Sequence, residues 1–131
     1  MSQNQCFKRK ILVVEDDDSI RFLLRDLLQL HQHDVYLAPD GENALKYLQS
    51  ENFDLLMTDL GLPGISGWEL ALASKRYQSE IRVMAITSWQ GKEEKEKISQ
   101  SGIDLFIWKP FRFDDVLAAI ETLFPSAQAG A

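Results

Sequence analysis

The chain has 131 residues, enough for one domain with its own core and short for two. Hydrophobic residues make up 45%, and 20 acids against 14 bases give a net charge of −6, which argues against direct nucleic-acid binding because an acidic surface releases no counterions from a phosphate backbone. The longest apolar runs fall far below the ~20 residues needed to cross a bilayer, Met1 to Lys10 carries no signal-peptide pattern, and the lone Cys6 has no partner for an internal disulfide. The expectation is a soluble, cytoplasmic protein without membrane association.

In chain order, residues 1–9 are expected to be loosely ordered, 10–125 to form the domain, and 126–131 to be a disordered tail. Ile11 to Val14 is a short β-branched run that ends in acids, as a buried parallel strand does. Ile20, Leu23, Leu24, Leu27 and Leu28 then follow the spacing of one helix face. Val35 to Ala38 reads as a second strand, after which Asp40 caps a helix carrying Ala44, Leu45 and Leu48. Leu55 to Thr58 is a third strand running into Asp59. Beyond a Pro-Gly turn, Ser66 and Glu69 have capping-box spacing and open a helix that continues through Tyr77. Ile81 to Ile86 is a fourth strand, and the polar stretch from Gly91 to Gln100, with its lysines interspersed among glutamates, reads as a solvated helix. Leu105 to Trp108 is a fifth strand. The last helix has Asp114 and Asp115 in its first turn, where the dipole favours acids, and Val116, Leu117, Ile120, Leu123 and Phe124 as its buried stripe.

Five strands alternating with five helices predict an α/β fold, a doubly wound five-stranded parallel sheet with helices on both faces. Ligand sites in such sheets lie beyond the carboxyl ends of the strands. Four of these ends carry polar groups: Glu15-Asp16-Asp17-Asp18, Asp59, Thr87-Ser88 and Lys109. Crowded carboxylates need a cation to stay charged together, and hard oxygen donors suit Mg²⁺. A carboxylate nucleophile, a metal, a hydroxyl and an ammonium make up a phosphoryl-transfer site. Each feature also has a plainer reading: acids after a strand often cap the next helix, as expected of Asp17 or Asp18, and a strand-end Thr is commonly structural.

Four segments carry a resemblance: Ile11 to Asp16, Asp54 to Gly67, Ile86-Thr87-Ser88, and Trp108-Lys109-Pro110-Phe111. In this order the chain resembles the receiver domain of two-component response regulators from about Lys10 to Phe124. The resemblance implies a flavodoxin-like (βα)5 fold with strand order 2-1-3-4-5 and a signalling role, not that of an enzyme acting on external substrates. It implies that Asp59 accepts a phosphoryl group from a histidine kinase or histidine phosphotransfer protein. Asp16 and Asp59 would ligate Mg²⁺ directly, Glu15 through water, and Gly61 through its backbone carbonyl. Lys109 would pair with a phosphoryl oxygen and precede a cis proline, Thr87 would turn its hydroxyl to the phosphoryl group, and Phe106 matches the switch aromatic. The output face would comprise the helix around 93–99, the fifth strand and the last helix, with that first helix the most mobile. Its downstream partner would be a protein, and the receiver itself would be a monomer or a weak, phosphorylation-linked dimer.

Two positions depart from the family pattern. Ser88 stands where Ala or Gly is usual, and Trp89 occupies a place where side chains modulate water access to the phosphoaspartate. Among competing readings, an aspartyl phosphatase of the haloacid dehalogenase type would want an acid two residues after Asp59, where this chain has Gly61. A pseudo-receiver that has lost phosphorylation conflicts with the presence of Asp59, Thr87 and Lys109. His31-Gln32-His33 is read as a solvated helix end in preference to a metal site. The segment from Asp59 to Trp68 also resembles receivers attached to hybrid histidine kinases, so both a stand-alone receiver and a piece of a longer protein are carried forward.

Overall fold

The computed structural model describes residues 8–88 and 100–125. In chain order these form β1 (Lys10–Val14), α1 (Asp18–Leu30), β2 (Asp34–Ala38), α2 (Gly41–Ser50), β3 (Leu55–Thr58), α3 (Gly67–Tyr77), β4 (Arg82–Thr87), β5 (Leu105–Trp108) and α4 (Phe113–Leu123). The strands make one parallel sheet in the order β2-β1-β3-β4-β5. The expected helix over 93–99, Trp89, Cys6 and the 126–131 tail lie outside the described residues. No helix among the described residues is long and apolar enough to cross a membrane.

Alternation along the strands divides the core into two layers. Ile11 and Val13 of β1, Leu55 and Met57 of β3, Met84 and Ile86 of β4 and Ile107 of β5 face α1 and α4, where Leu24, Leu27, Leu28, Val116 and Ile120 meet them. Leu12, Val14, Leu56 and Val83 point the other way, against Ala44 and Leu48 of α2 and Leu70 and Ala71 of α3. A central strand buried on both sides needs an unbroken apolar run, which is why β1 and β3 read as continuous hydrophobic segments. Each fully buried Leu or Ile contributes about 1.5–3 kcal/mol relative to exposure, so both layers stabilise the sheet between them.

Local signals fix the helix starts. Asp17 Oδ1 accepts from the Ile20 amide at 3.0 Å and Asp40 Oδ1 from the Asn43 amide at 2.8 Å. Ser66 and Glu69 form a reciprocal capping box, with Ser66 Oγ accepting from Glu69 N at 3.2 Å and Glu69 Oε1 from Ser66 N at 3.0 Å. In α4, Asp115 accepts from the Arg112 amide at 2.9 Å.

The expected face of α1 needs one correction. Leu23, expected on the buried face, is 50% exposed, whereas Arg21, which the apolar spacing passes over, is buried. At about 100° per residue the stripe is centred between Leu24 and Leu28, which brings position 21 into it and turns position 23 well away. The last helix also buries Ala119, a small residue that the bulky stripe conceals in the sequence. At the end of α1, His33 is not simply solvated: its Nδ1 accepts from the Arg9 amide at 3.1 Å, and Arg9 O accepts from Asp34 N at 2.9 Å.

Candidate functional site

Strand register builds the site. β1 and β3 pair Val14 with Thr58, so the next residues, Glu15 and Asp59, leave the sheet side by side. The Asp59 amide donates to Val14 O at 3.1 Å, and the Glu15 amide to Ala38 O at 3.2 Å, which extends the ladder one step past the strands. At the other side of the sheet Thr87 pairs with Trp108, and the Lys109 amide donates to Thr87 O at 2.9 Å. Residues far apart in sequence thus end on one edge.

There, carboxylate oxygens of Glu15, Asp16 and Asp59 all lie within 4.8 Å of one another. Lys109 Nζ donates to Asp59 Oδ2 at 2.9 Å and to Glu15 Oε1 at 3.1 Å. Glu15 Oε2 accepts from the Asp17 amide at 3.1 Å, and Asp59 Oδ1 from the Gly61 amide at 3.0 Å. Glu15 is buried, Asp59 half-buried and Asp16 exposed, so the cluster opens to solvent on the Asp16 side. The peptide between Lys109 and Pro110 is cis.

Burial pushes the Glu15 carboxyl above its usual value, and the neighbouring Asp59 charge pushes the same way; the Asp17 amide and Lys109 oppose both. Burial alone would lower Lys109, but its hydrogen bonds and charge interactions with Asp59 and Glu15 outweigh it and hold the ammonium above the usual lysine range. Three carboxylates meet one ammonium in this inner group, so acids outnumber bases there. All the donors are oxygens and one face is open to water. The residues therefore fit Mg²⁺.

Two glycines shape the loop after Asp59. Gly64 has φ +72°, a backbone conformation that side chains disfavour. At Gly67 a Cβ would fall 2.2 Å from Asp59 O and 2.7 Å from Leu60 Cα, so only glycine lets the start of α3 lie against the Asp59 backbone.

Of the remaining expected residues, Thr87 is buried at the end of β4 and Ser88 is exposed. Phe106 is half-buried between two indoles, with ring centroids 6.2 Å from Trp68 and 6.0 Å from Trp108. His31 and His33 lie at the end of α1, among residues of the opposite end of the sheet from this cluster.

The family model of the response regulator receiver domain matches residues 11–121. The chain belongs to that family. Receivers are signalling domains of two-component systems, and three relatives frame this one. Over 107 residues, 82% of the chain, it is 33% identical to the sensor protein EvgS of Escherichia coli O157:H7, of which it spans 9%. Over 114 residues, 87% of the chain, it is 32% identical to the virulence transcriptional regulatory protein PhoP of Salmonella typhimurium, of which it spans 51%. The response regulator TrrA of Thermotoga maritima, solved in complex with Mg(2+)-BeF, superposes with a TM-score of 0.78 at 32% identity, covering 88% of this receiver and 99% of TrrA. The chain thus spans about half of PhoP and under a tenth of EvgS.

Sequence reasoning missed Arg21 and the contact at Gly67. The first was hidden because a charged residue inside an apolar stripe reads as flank. The second depends on a tertiary approach, although glycine directly after a capping serine is a weak sign of crowding.

Proposed function

We propose that this receiver accepts a phosphoryl group on Asp59 from a phosphohistidine of a histidine kinase or histidine phosphotransfer protein, and passes the change to a downstream protein. The observation that carries the reading is the meeting of Asp59 with Glu15, Asp16 and Lys109 at one sheet edge, with Lys109 Nζ 2.9 Å from Asp59 Oδ2. Glu15, Asp16 and Asp59 would hold Mg²⁺, with the Gly61 carbonyl as a further oxygen. Bound there, the ion supplies positive charge against the oxygens of the transferring group. The solved complex of TrrA with Mg(2+)-BeF supports this assignment by likeness.

In the transfer, a carboxylate oxygen of Asp59 attacks phosphorus. An O–P bond forms as the donor's N–P bond breaks, and the electron pair returns to the histidine nitrogen, which takes up a proton. Lys109, held charged by Asp59 and Glu15, exchanges one of its carboxylate contacts for a phosphoryl oxygen and so keeps that charge compensated. Thr87 offers a hydroxyl from the neighbouring strand end, and a movement there gives Phe106 a different packing choice between Trp68 and Trp108. A covalent charge at one edge then biases a two-state arrangement on the β5 side. The chain is not proposed to turn over external substrates: Gly61 stands where an aspartyl phosphatase would carry a general acid.

Beryllofluoride, which mimics an acyl phosphate on a carboxylate, tests the site. With Mg²⁺ present, wild type should gain several degrees in melting temperature, about what a ligand at 100 times its Kd provides in a domain of this size. Asp59→Asn should gain none. A wild type that melts at the same temperature with and without the pair would contradict the reading.

A further inference from the structure

Arg21 is buried in the first turns of α1, only 9% exposed, and the proposed transfer makes no use of it. Its guanidinium is divided between two points of one turn. Nη1 donates to the backbone carbonyl of Glu15 at 2.8 Å, and Nη2 to Asp18 Oδ1 at 2.5 Å. The Phe22 ring packs against it, with the centroid 5.0 Å from Arg21 Cζ. The backbone closes the same turn: Arg21 N donates to Asp17 O at 2.9 Å, and Asp17 N to the Glu15 carboxylate at 3.1 Å. Asp16 lies between residues anchored on both sides, so its backbone has little freedom left.

We infer that Arg21 is a positioning residue, whose guanidinium fixes the 15–18 turn so that Glu15 and Asp16 present their oxygens to a divalent cation. The inference rests on the proposed Mg²⁺ site and adds the group that holds the ligand turn in shape. A planar fork suits the task, because two fixed donor directions reach a carbonyl and a carboxylate at once, whereas an ammonium is a point charge.

Charge and positioning make opposite predictions here. As a bare positive charge beside a cation site, Arg21 repels Mg²⁺, and its removal would tighten binding. As a positioning group, its removal lets the turn relax and weakens binding, by about tenfold or more on the scale typical of groups that orient metal ligands. The experiment is isothermal titration of Mg²⁺ into wild type, Arg21→Met and Arg21→Lys, at one pH and ionic strength. Circular dichroism melts in chelator confirm that each variant is folded. The Mg²⁺ dependence of phosphorylation by acetyl phosphate is measured alongside.

Arg21→Met should bind Mg²⁺ about tenfold more weakly and require correspondingly more of it, while its rate at saturating Mg²⁺ stays within about twofold of wild type. Arg21→Lys, with charge kept and the fork lost, should fall between the two. Binding by Arg21→Met as tight as wild type, or tighter, overturns the inference and leaves the proposed function standing. Should Arg21→Met not fold, Arg21→Lys decides, and a wild-type affinity there overturns it. A wild type that binds no Mg²⁺ removes the proposed metal site itself, and the inference with it.

Discussion

Individual residues at the sheet edge are set by their neighbours more than by their own chemistry. Asp59 and Glu15 share one ammonium, yet they differ in environment: Glu15 is buried and Asp59 half-open. Burial raises the Glu15 carboxyl and keeps it dependent on Lys109 and the Asp17 amide. At the far end of α1, His33 carries a pH signature of its own. Burial, then the nearby His31 and Arg9 charges, hold its imidazole below the usual 6.5, and its Nδ1 accepts the Arg9 amide, which demands an unprotonated nitrogen there. The unfolded chain therefore takes up a proton on His33 before the folded one does. Its contribution to stability is complete above pH 6.5 and is lost as the pH falls through the folded value. Denaturant titrations at pH 8 and at pH 5 should show wild type losing more stability than His33→Asn, whose side-chain oxygen can accept without titrating. Equal losses would contradict that assignment. The strand-end acids, Thr87 and Lys109 were legible in the sequence because a parallel sheet delivers its strand ends to one side. Arg21 was not, since its burial depends on which way α1 turns against β1.

Among the elements, α3 was read to its last residue, Gly67–Tyr77, because both ends carry local signals. The capping box is written in the spacing of Ser66 and Glu69, and each side chain satisfies an amide that the helix leaves unpaired. Ser66→Ala should cost about 1 kcal/mol in equilibrium unfolding, as loss of an N-cap generally does. An unchanged midpoint would mean that water replaces the hydroxyl without penalty. The same cap fixes where α3 begins, and Gly67 there touches the Asp59 backbone, so element boundary and site geometry are one feature. The bounds of β1, β2 and β4 each shifted by a residue at one end or both, because Lys10, Asp34, Ile81 and Thr87 make or omit ladder hydrogen bonds that side-chain pattern does not encode. The exposed Leu23 shows the converse limit: spacing alone admits a residue to a helix face that packing then leaves outside.

Across the whole molecule, two apolar layers hold a five-stranded sheet whose order brings β1, β3 and β4 together at its centre. That order was not derivable from periodicity, which yields strands and helices but no neighbours; it came from the family resemblance, and the register shows its physical consequence. With β3 between β1 and β4, Asp59 emerges next to Glu15 on one side, and the β4–β5 pair brings Thr87 and Lys109 in from the other. The result is a frame that gathers an acidic cluster, open to solvent on the Asp16 side, at the carboxyl ends of its strands. The function proposed for this edge is covalent: Asp59 would take up a phosphoryl group with the help of a divalent cation. Intact-mass analysis after incubation with acetyl phosphate tests it most directly, with and without Mg²⁺, for wild type and Asp59→Asn. The account predicts a single phosphoryl adduct on wild type that requires Mg²⁺ and is missing from Asp59→Asn; a wild type that stays unmodified under rapid quenching, or an adduct that persists in Asp59→Asn, would contradict it.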